Sequence, residues 1–253
     1  MPDNTLIVGH RGASSDAPEN TLSAFRLAFD QGADWVEGDV RLTKDGQVVC
    51  IHDDTTERVT NGQHVLTIEN ASYDSLSKLD VGSWKSSAYA DERIPSLDEV
   101  LRILPRDKGI LIELKGEGEL GEAAARVVIN SDCSADQVVF ISFDTNALLG
   151  VKKIAPDYDI WLVSGFSKND LNTAWTPTAN ELIRQASSIG ASGIDVQAHK
   201  EVINESFVAA VEESGLSLNV WTVDDSEYAK RLASLGISSI TTNVPEELRK
   251  VID

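Results

Sequence analysis

Four short segments place charged side chains at the ends of apolar runs. They are His10-Arg11-Gly12, Glu37-Gly38-Asp39, His52-Asp53 and Glu113-Leu114-Lys115. In each two-apart pair, Glu37 with Asp39 and Glu113 with Lys115, the side chains leave a strand on the same face. Carboxylates that converge at one strand end repel one another unless a cation lies between them. An all-oxygen set such as Glu37, Asp39 and Glu113 suits Mg²⁺, Ca²⁺ or Mn²⁺ better than zinc. Read singly, each pair is also compatible with a solvated strand edge. Glu113 is the exception: it follows Gly109-Ile110-Leu111-Ile112, a run with the character of a buried strand, where a lone carboxylate is costly. His10 and His52 are two of only four histidines and both end strands, the placement of a general acid and a general base. Arg11 and Lys115 supply local positive charge, either as salt bridges to the carboxylates or as ligands for phosphate oxygens. Phe143 and Trp221, at late strand ends, can wall a substrate pocket. His64 and His199 read as surface residues, although His199 can also line the mouth.

The elements that must position these residues alternate between strand and helix. Apolar runs predict strands near 5–9, 35–41, 47–52, 109–115, 137–143, 158–163, 193–197, 217–223 and 237–242. Helical patterns lie between most of them. Thr21 opens one, and Ser96-Leu97-Asp98-Glu99 has the form of a capped start for another. The short connection between Asp39 and His52 leaves no room for a helical crossover, and Lys44-Asp45-Gly46-Gln47 is a hairpin signal. The 47–52 strand is therefore antiparallel and the odd one out. The other eight give the count of a (β/α)₈ TIM barrel, an α/β fold. A two-residue turn at Asp45-Gly46 predicts Asp39 opposite His52 and Glu37 opposite Asp54. The polar stretch 54–95 breaks the βα rhythm and reads as a small inserted subdomain over the barrel mouth, following the second barrel strand. The whole chain, 1–253, reads as one domain.

The 253 residues are 42% hydrophobic, with 17 glycines and seven prolines, enough for one large α/β core. The formal charge of −19 argues against a nucleic-acid partner, so an anionic substrate needs its own positive site. Cys50 and Cys133 read as core side chains rather than a disulfide framework. Without a signal-peptide pattern or an apolar run of spanning length, the expectation is a cytoplasmic protein with no membrane partner. The sequence sets no oligomeric state.

Taken in order, these segments resemble the glycerophosphodiester phosphodiesterase family. The resemblance covers essentially the whole chain. It is carried by His10-Arg11-Gly12, Pro18-Glu19-Asn20-Thr21, Glu37-Gly38-Asp39-Val40, Thr43-Lys44-Asp45-Gly46, His52-Asp53-Asp54, Thr60-Asn61-Gly62, Gly82-Ser83-Trp84, Ile94-Pro95-Ser96-Leu97, Glu113-Leu114-Lys115, Ser142-Phe143, Trp221-Thr222-Val223 and Thr242-Asn243-Val244-Pro245. It implies a TIM barrel with an inserted subdomain and hydrolysis of a glycerophosphodiester to glycerol 3-phosphate and an alcohol. It implies that Glu37, Asp39 and Glu113 hold Mg²⁺ or Ca²⁺, with Mn²⁺ a further option. His10 and His52 would be the acid–base pair and Arg11 and Lys115 would lie near the phosphate. Glu19 and Asn20 would support the site, with Glu19 orienting Arg11 or His10. The chain departs from the family pattern at Arg58-Val59, at Val65-Leu66-Thr67-Ile68 and over 166–179. Rival readings are a lysophospholipase D-type enzyme acting on a lipid, a barrel that binds a phosphoester without turnover, and a metal-dependent lyase or aldolase.

Overall fold

The computed structural model describes residues 5–168 and 174–252, so part of the divergent 166–179 stretch lies outside the described residues. In chain order the strands are β1 (Leu6–His10), β2 (Trp35–Leu42), β3 (Val48–Cys50), β4 (Gly109–Leu114), β5 (Val138–Ser142), β6 (Asp159–Ser164), β7 (Gly193–Gln197), β8 (Ser217–Trp221) and β9 (Ser239–Thr242). The helices are α1 (Leu22–Asp30), α2 (Tyr73–Leu76), α3 (Leu97–Arg102), α4 (Gly118–Ile129), α5 (Thr145–Ile154), α6 (Ala179–Ser188), α7 (Glu205–Glu213), α8 (Ser226–Ser234) and α9 (Pro245–Arg249). β1 pairs in parallel with both β2 and β9, and the remaining barrel strands pair in sequence from β2 through β4 to β9. Eight parallel strands thus close on themselves, and β3 lies outside the closure, antiparallel to the end of β2. This is the (β/α)₈ TIM barrel.

Strand alternation sorts the core into two parts. Ile7, Val36, Ile110, Phe140, Ile160, Ile194, Val220 and Ile240 face outward and are buried under the helices. Val8, Leu111, Val139, Ile141 and Val163 form a separate cluster inside the barrel with Trp35, Trp161 and Trp221. Two glycines make room for the indoles: a Cβ on Gly109 would come within 2.2 Å of the Trp35 ring, and one on Gly193 within 2.7 Å of Trp161. The helices are set by local signals. Thr21 caps α1 through the Ala24 amide, and Ser96 and Glu99 form a reciprocal capping box on α3, which satisfies amides that a helix start otherwise leaves bare.

The hairpin corrects one expectation. The turn has three residues, Lys44 to Gly46, closed by Thr43 N–H donating to the Gln47 carbonyl at 2.9 Å, with Gly46 at φ +78°. A three-residue loop with glycine in the left-handed region moves the register by one. Asp39 therefore lies opposite Ile51, whose amide donates to its carbonyl at 3.0 Å. The expected pairings of Asp39 with His52 and Glu37 with Asp54 do not form, because the register is shifted by one residue. His52 reaches the barrel mouth in the bend that follows.

Beyond that bend, residues 52–95 carry short helical turns and bury their own cluster of Val59, Ile68, Leu76, Leu79, Val81 and Ile94 with Val49 and Ile51. The segment is tied to the β1–α1 loop: Lys85 Nζ donates to the Ser14 carbonyl at 2.9 Å, and Arg58 pairs with Glu19 at 2.7 Å. Cys50 is buried and Cys133 half-buried, and both are free thiols. Among the described residues no helix is long and apolar enough to cross a membrane.

Candidate active site

The carboxyl-terminal ends of β1, β2 and β4 meet at one mouth, the face on which barrel enzymes build their sites. A cavity of about 210 Å³ there is lined by His10, Arg11, Glu37, His52, Glu113, Lys115, Phe143 and Trp221, with Asp195 and Thr241 among the remaining lining residues. Eight residues singled out from the sequence thus share one small space. A larger cavity of about 550 Å³ opens at the opposite end of the barrel, walled by Trp35, Trp161, Val8 and Leu111. It contains none of this titratable cluster, which lines the smaller cavity.

Glu37, Asp39 and Glu113 bring one carboxylate oxygen each to within 4.8 Å of one another. Glu37 Oε2 accepts the Arg11 amide at 2.9 Å, while buried Oε1 has no hydrogen-bond partner. Asp39 Oδ2 accepts Asn20 Nδ2 at 2.9 Å, and Asn20 Oδ1 accepts the Asp39 amide at 3.1 Å. Asn20 sits at φ +57° and Arg11 at φ +54°, so two non-glycine residues hold left-handed backbone beside the cluster, strain of a kind that gathers at functional sites. Between them Gly12 (φ +83°) passes so close to α1 that a Cβ would lie 2.4 Å from Ala24 carbon.

Lys115 Nζ lies 2.7 Å from Glu113 Oε1 and 3.1 Å from Asp39 Oδ1, and Arg11 Nε lies 3.1 Å from Asp39 Oδ2. The two Asp39 contacts are Coulombic, because neither Arg11 Nε nor Asp39 Oδ1 finds an aligned hydrogen bond. Burial alone would raise the Asp39 carboxyl, but Arg11 and Lys115 outweigh it and hold Asp39 down at about 2. The same two cations do not rescue its neighbours. Burial, then the charges of Asp39 and Glu113, push Glu37 well above the usual carboxylate range. Burial, then Asp39, pushes Glu113 up to about 7. Buried oxygens without partners on Glu37 and Asp39, in a cluster where carboxylate charge raises the proton affinity of Glu37 and Glu113, fit a hard divalent cation with oxygen ligands.

The two histidines are held alike by different means. His10 Nδ1 lies 2.7 Å from Asn243 Oδ1. Asn243 Nδ2 donates to Asp224 at 2.7 Å, which fixes the amide so that its oxygen faces His10. An oxygen can only accept, so His10 carries its hydrogen on Nδ1 and leaves Nε2 with the lone pair, 4.0 Å from Glu37 Oε2. Burial, then Arg11, lowers the His10 pKa below its ordinary value. His52 Nδ1 lies 2.7 Å from Asp53 Oδ1, which again leaves Nε2 as the free nitrogen. Phe143, 52% exposed, meets Trp221 edge to face with centroids 5.9 Å apart, an apolar wall for the mouth. Glu19 accepts Arg11 Nη1 at 2.9 Å and so orients that side chain.

Asn243, Asp224, Asp53, Arg58 and Asp195 were not assigned from the sequence. Thr242-Asn243-Val244-Pro245 and His52-Asp53 are visible as segments, yet nothing local shows which histidine each partner serves. His199 stacks on Trp175 with centroids 3.9 Å apart and does not line the cavity.

A profile of the Glycerophosphoryl diester phosphodiesterase family matches residues 10–247. The chain belongs to this family. It is 33% identical over 252 residues to a glycerophosphodiester phosphodiesterase of Caldanaerobacter subterraneus subsp. tengcongensis, covering 98% of each chain. Its fold superposes with a TM-score of 0.84 and 27% identity on an Oleispira antarctica phosphodiesterase in complex with the product sn-glycerol-3-phosphate, covering 98% of this chain and 96% of that one. A glycerophosphodiester phosphodiesterase from Agrobacterium tumefaciens gives a TM-score of 0.82 at 27% identity, covering 98% of this chain and 100% of that one. As a glycerophosphoryl diester phosphodiesterase family member the chain thus matches such relatives end to end.

Proposed function

We propose that this protein hydrolyses glycerophosphodiesters to glycerol 3-phosphate and an alcohol, using His10 and His52 as the proton carriers. The observation that carries the reading is the meeting of Glu37, Glu113, two cations and two histidines in one cavity of about 210 Å³, with buried Asp39 completing the carboxylate cluster, in a chain of this family. Glu37, Asp39 and Glu113 would hold a divalent cation, Mg²⁺, Ca²⁺ or Mn²⁺. When bound, that ion neutralises charge on the phosphate and lowers the pKa of a hydroxyl or water beside it. Arg11 and Lys115, already at the rim of the carboxylates, supply the remaining positive charge for phosphate oxygens.

The reaction forms one oxygen–phosphorus bond and breaks another. The nucleophile, water or the substrate's own 2-hydroxyl, gives its proton to the Nε2 lone pair of one histidine. The leaving alcohol oxygen takes a proton from Nε2 of the other. Both rings are supported at Nδ1 from behind, so each can exchange a proton at Nε2 without turning. Phe143 and Trp221 flank the apolar part of the substrate.

The test is to strip the protein of metal, supply glycerophosphocholine or glycerophosphoethanolamine, add Mg²⁺, Ca²⁺ or Mn²⁺ in turn, and measure glycerol 3-phosphate. Metal-dependent product that disappears in Glu37→Ala is the expected result. No product with any ion and either head group overturns the reading. A cyclic phosphate detected early in the time course identifies the 2-hydroxyl as nucleophile.

A further inference from the structure

Arg58 stands at the start of the inserted segment and makes two bidentate pairs at once. Its Nε and Nη2 donate to Asp53 Oδ2 and Oδ1 at 2.7 and 3.1 Å. Its Nη1 and Nη2 donate to Glu19 Oε2 and Oε1 at 2.7 and 2.9 Å. Asp53 is the carboxylate that holds His52 Nδ1, and Glu19 is the carboxylate that holds Arg11 Nη1. One guanidinium thereby joins the support of a histidine to the support of the arginine next to Asp39. We propose that Arg58 is a positioning residue for the reaction, setting the tautomer and direction of His52 through Asp53 and the placement of Arg11 through Glu19. The inference rests on the function proposed above.

The local fold gives Arg58 the rigidity such a role needs. Val59 beside it is buried in the core of the inserted segment. Thr56 and Thr60 are buried, and both hydroxyls donate to the His64 carbonyl at 2.8 Å. The turn closes with Gly62 N–H on the Glu57 carbonyl at 2.8 Å, with Asn61 and Gly62 in left-handed backbone. Arg58 itself is 44% exposed. Ion pairs at that exposure contribute little to folding, so a double fork there points to orientation rather than stability. Only a planar guanidinium can grip two carboxylates along two edges; a lysine ammonium offers one point charge. Without Arg58, Asp53 and Glu19 face each other as like charges and lose their common anchor. The inserted segment then has a direct part in the chemistry: it supplies the residue that keeps its own entry histidine and the β1 arginine in register.

The test combines kinetics with a spectroscopic readout. In Arg58→Ala, kcat on a glycerophosphodiester should fall on the order of 10²-fold, as for a misplaced catalytic group, while KM changes little. Added guanidinium should restore part of the loss and added ammonium should not. Long-range ¹H–¹⁵N NMR should show His52 as a single Nδ1–H tautomer in the parent and as a mixture in the variant. Arg58→Lys, which keeps the charge and loses the fork, should behave like alanine, and it decides the matter if the alanine variant fails to fold. A kcat within about twofold of the parent, or a fall in kcat with the His52 tautomer intact, overturns the proposal. If the parent shows no diester hydrolysis, the function reading fails, and the tautomer measurement still decides what Arg58 does.

Discussion

At the carboxyl-terminal end of the barrel, the inward positions of β1, β2 and β4 hold His10, Glu37 with Asp39, and Glu113. Two residues earlier on the same strands stand Val8, Trp35 and Leu111. One end gathers buried charge that is incompletely hydrogen-bonded, with left-handed backbone at Arg11 and Asn20. The other packs indoles into notches left by Gly109 and Gly193. Between them lies a polar layer in which Asn219 donates to Asp195 at 2.5 Å and to Thr241 at 2.9 Å and accepts from Ser239 at 2.7 Å. The same strand period builds both ends, so the contrast comes from residue choice alone. The amino end contributes stability by burying apolar area. The carboxyl end keeps charges whose partners are incomplete, which costs stability and leaves them free for a ligand.

The sharpest way to break this comparison is to remove one of the two proposed proton carriers. His10→Ala and His52→Ala should each lower turnover by about 10²–10⁴-fold with the melting temperature nearly unchanged, measured by glycerol 3-phosphate release and calorimetry. A diester with a nitrophenyl leaving group should recover activity in the variant that lacks the acid and not in the one that lacks the base. This assigns the two roles. If either variant also melts much earlier than the parent, the histidine is part of the fold and the division between the ends fails.

Gly109→Ala probes the other end. The new methyl group would meet the Trp35 ring at 2.2 Å, an overpacking that costs about 1–3 kcal/mol. Denaturant unfolding should show that loss, while kcat measured at a temperature where the variant is folded should match the parent. A fall in kcat comparable to the histidine variants would mean that the two ends are mechanically one unit.

The remaining test lies in the layer between. Burial pushes the Asp195 carboxyl up to about 8, whereas an unfolded aspartate titrates at about 4. Between these values the folded chain binds the proton and the unfolded chain does not, so this group makes stability fall as pH rises. Asp195→Asn should flatten that slope between about pH 4 and 8, read from unfolding midpoints. A slope unchanged by the substitution would show that Asp195 is ionised in the folded protein.

The strands, their order of types and the odd antiparallel member were legible in the sequence because each depends on a local pattern: apolar runs, alternation, a connection too short for a crossover. Ser96 with Glu99 announced the capping box of α3, and the two-apart carboxylates announced a shared face. The family motifs placed the site at one end of the barrel. The hairpin register was misread, since Asp45-Gly46 fits a two-residue or a three-residue turn and only the closing bond from Thr43 to Gln47 separates them. His52 reached the site nonetheless, by the bend after β3 rather than across the ladder. Tertiary structure alone decided what stands behind His10 and what joins Arg58 to Glu19. Asn243 meets His10 across 233 positions of sequence, and Arg58 meets Glu19 across 39. Periodicity reports the face on which a residue lies. It carries no information about which distant side chain closure of the barrel will bring to that face, and the proton position on the His10 imidazole follows from that closure.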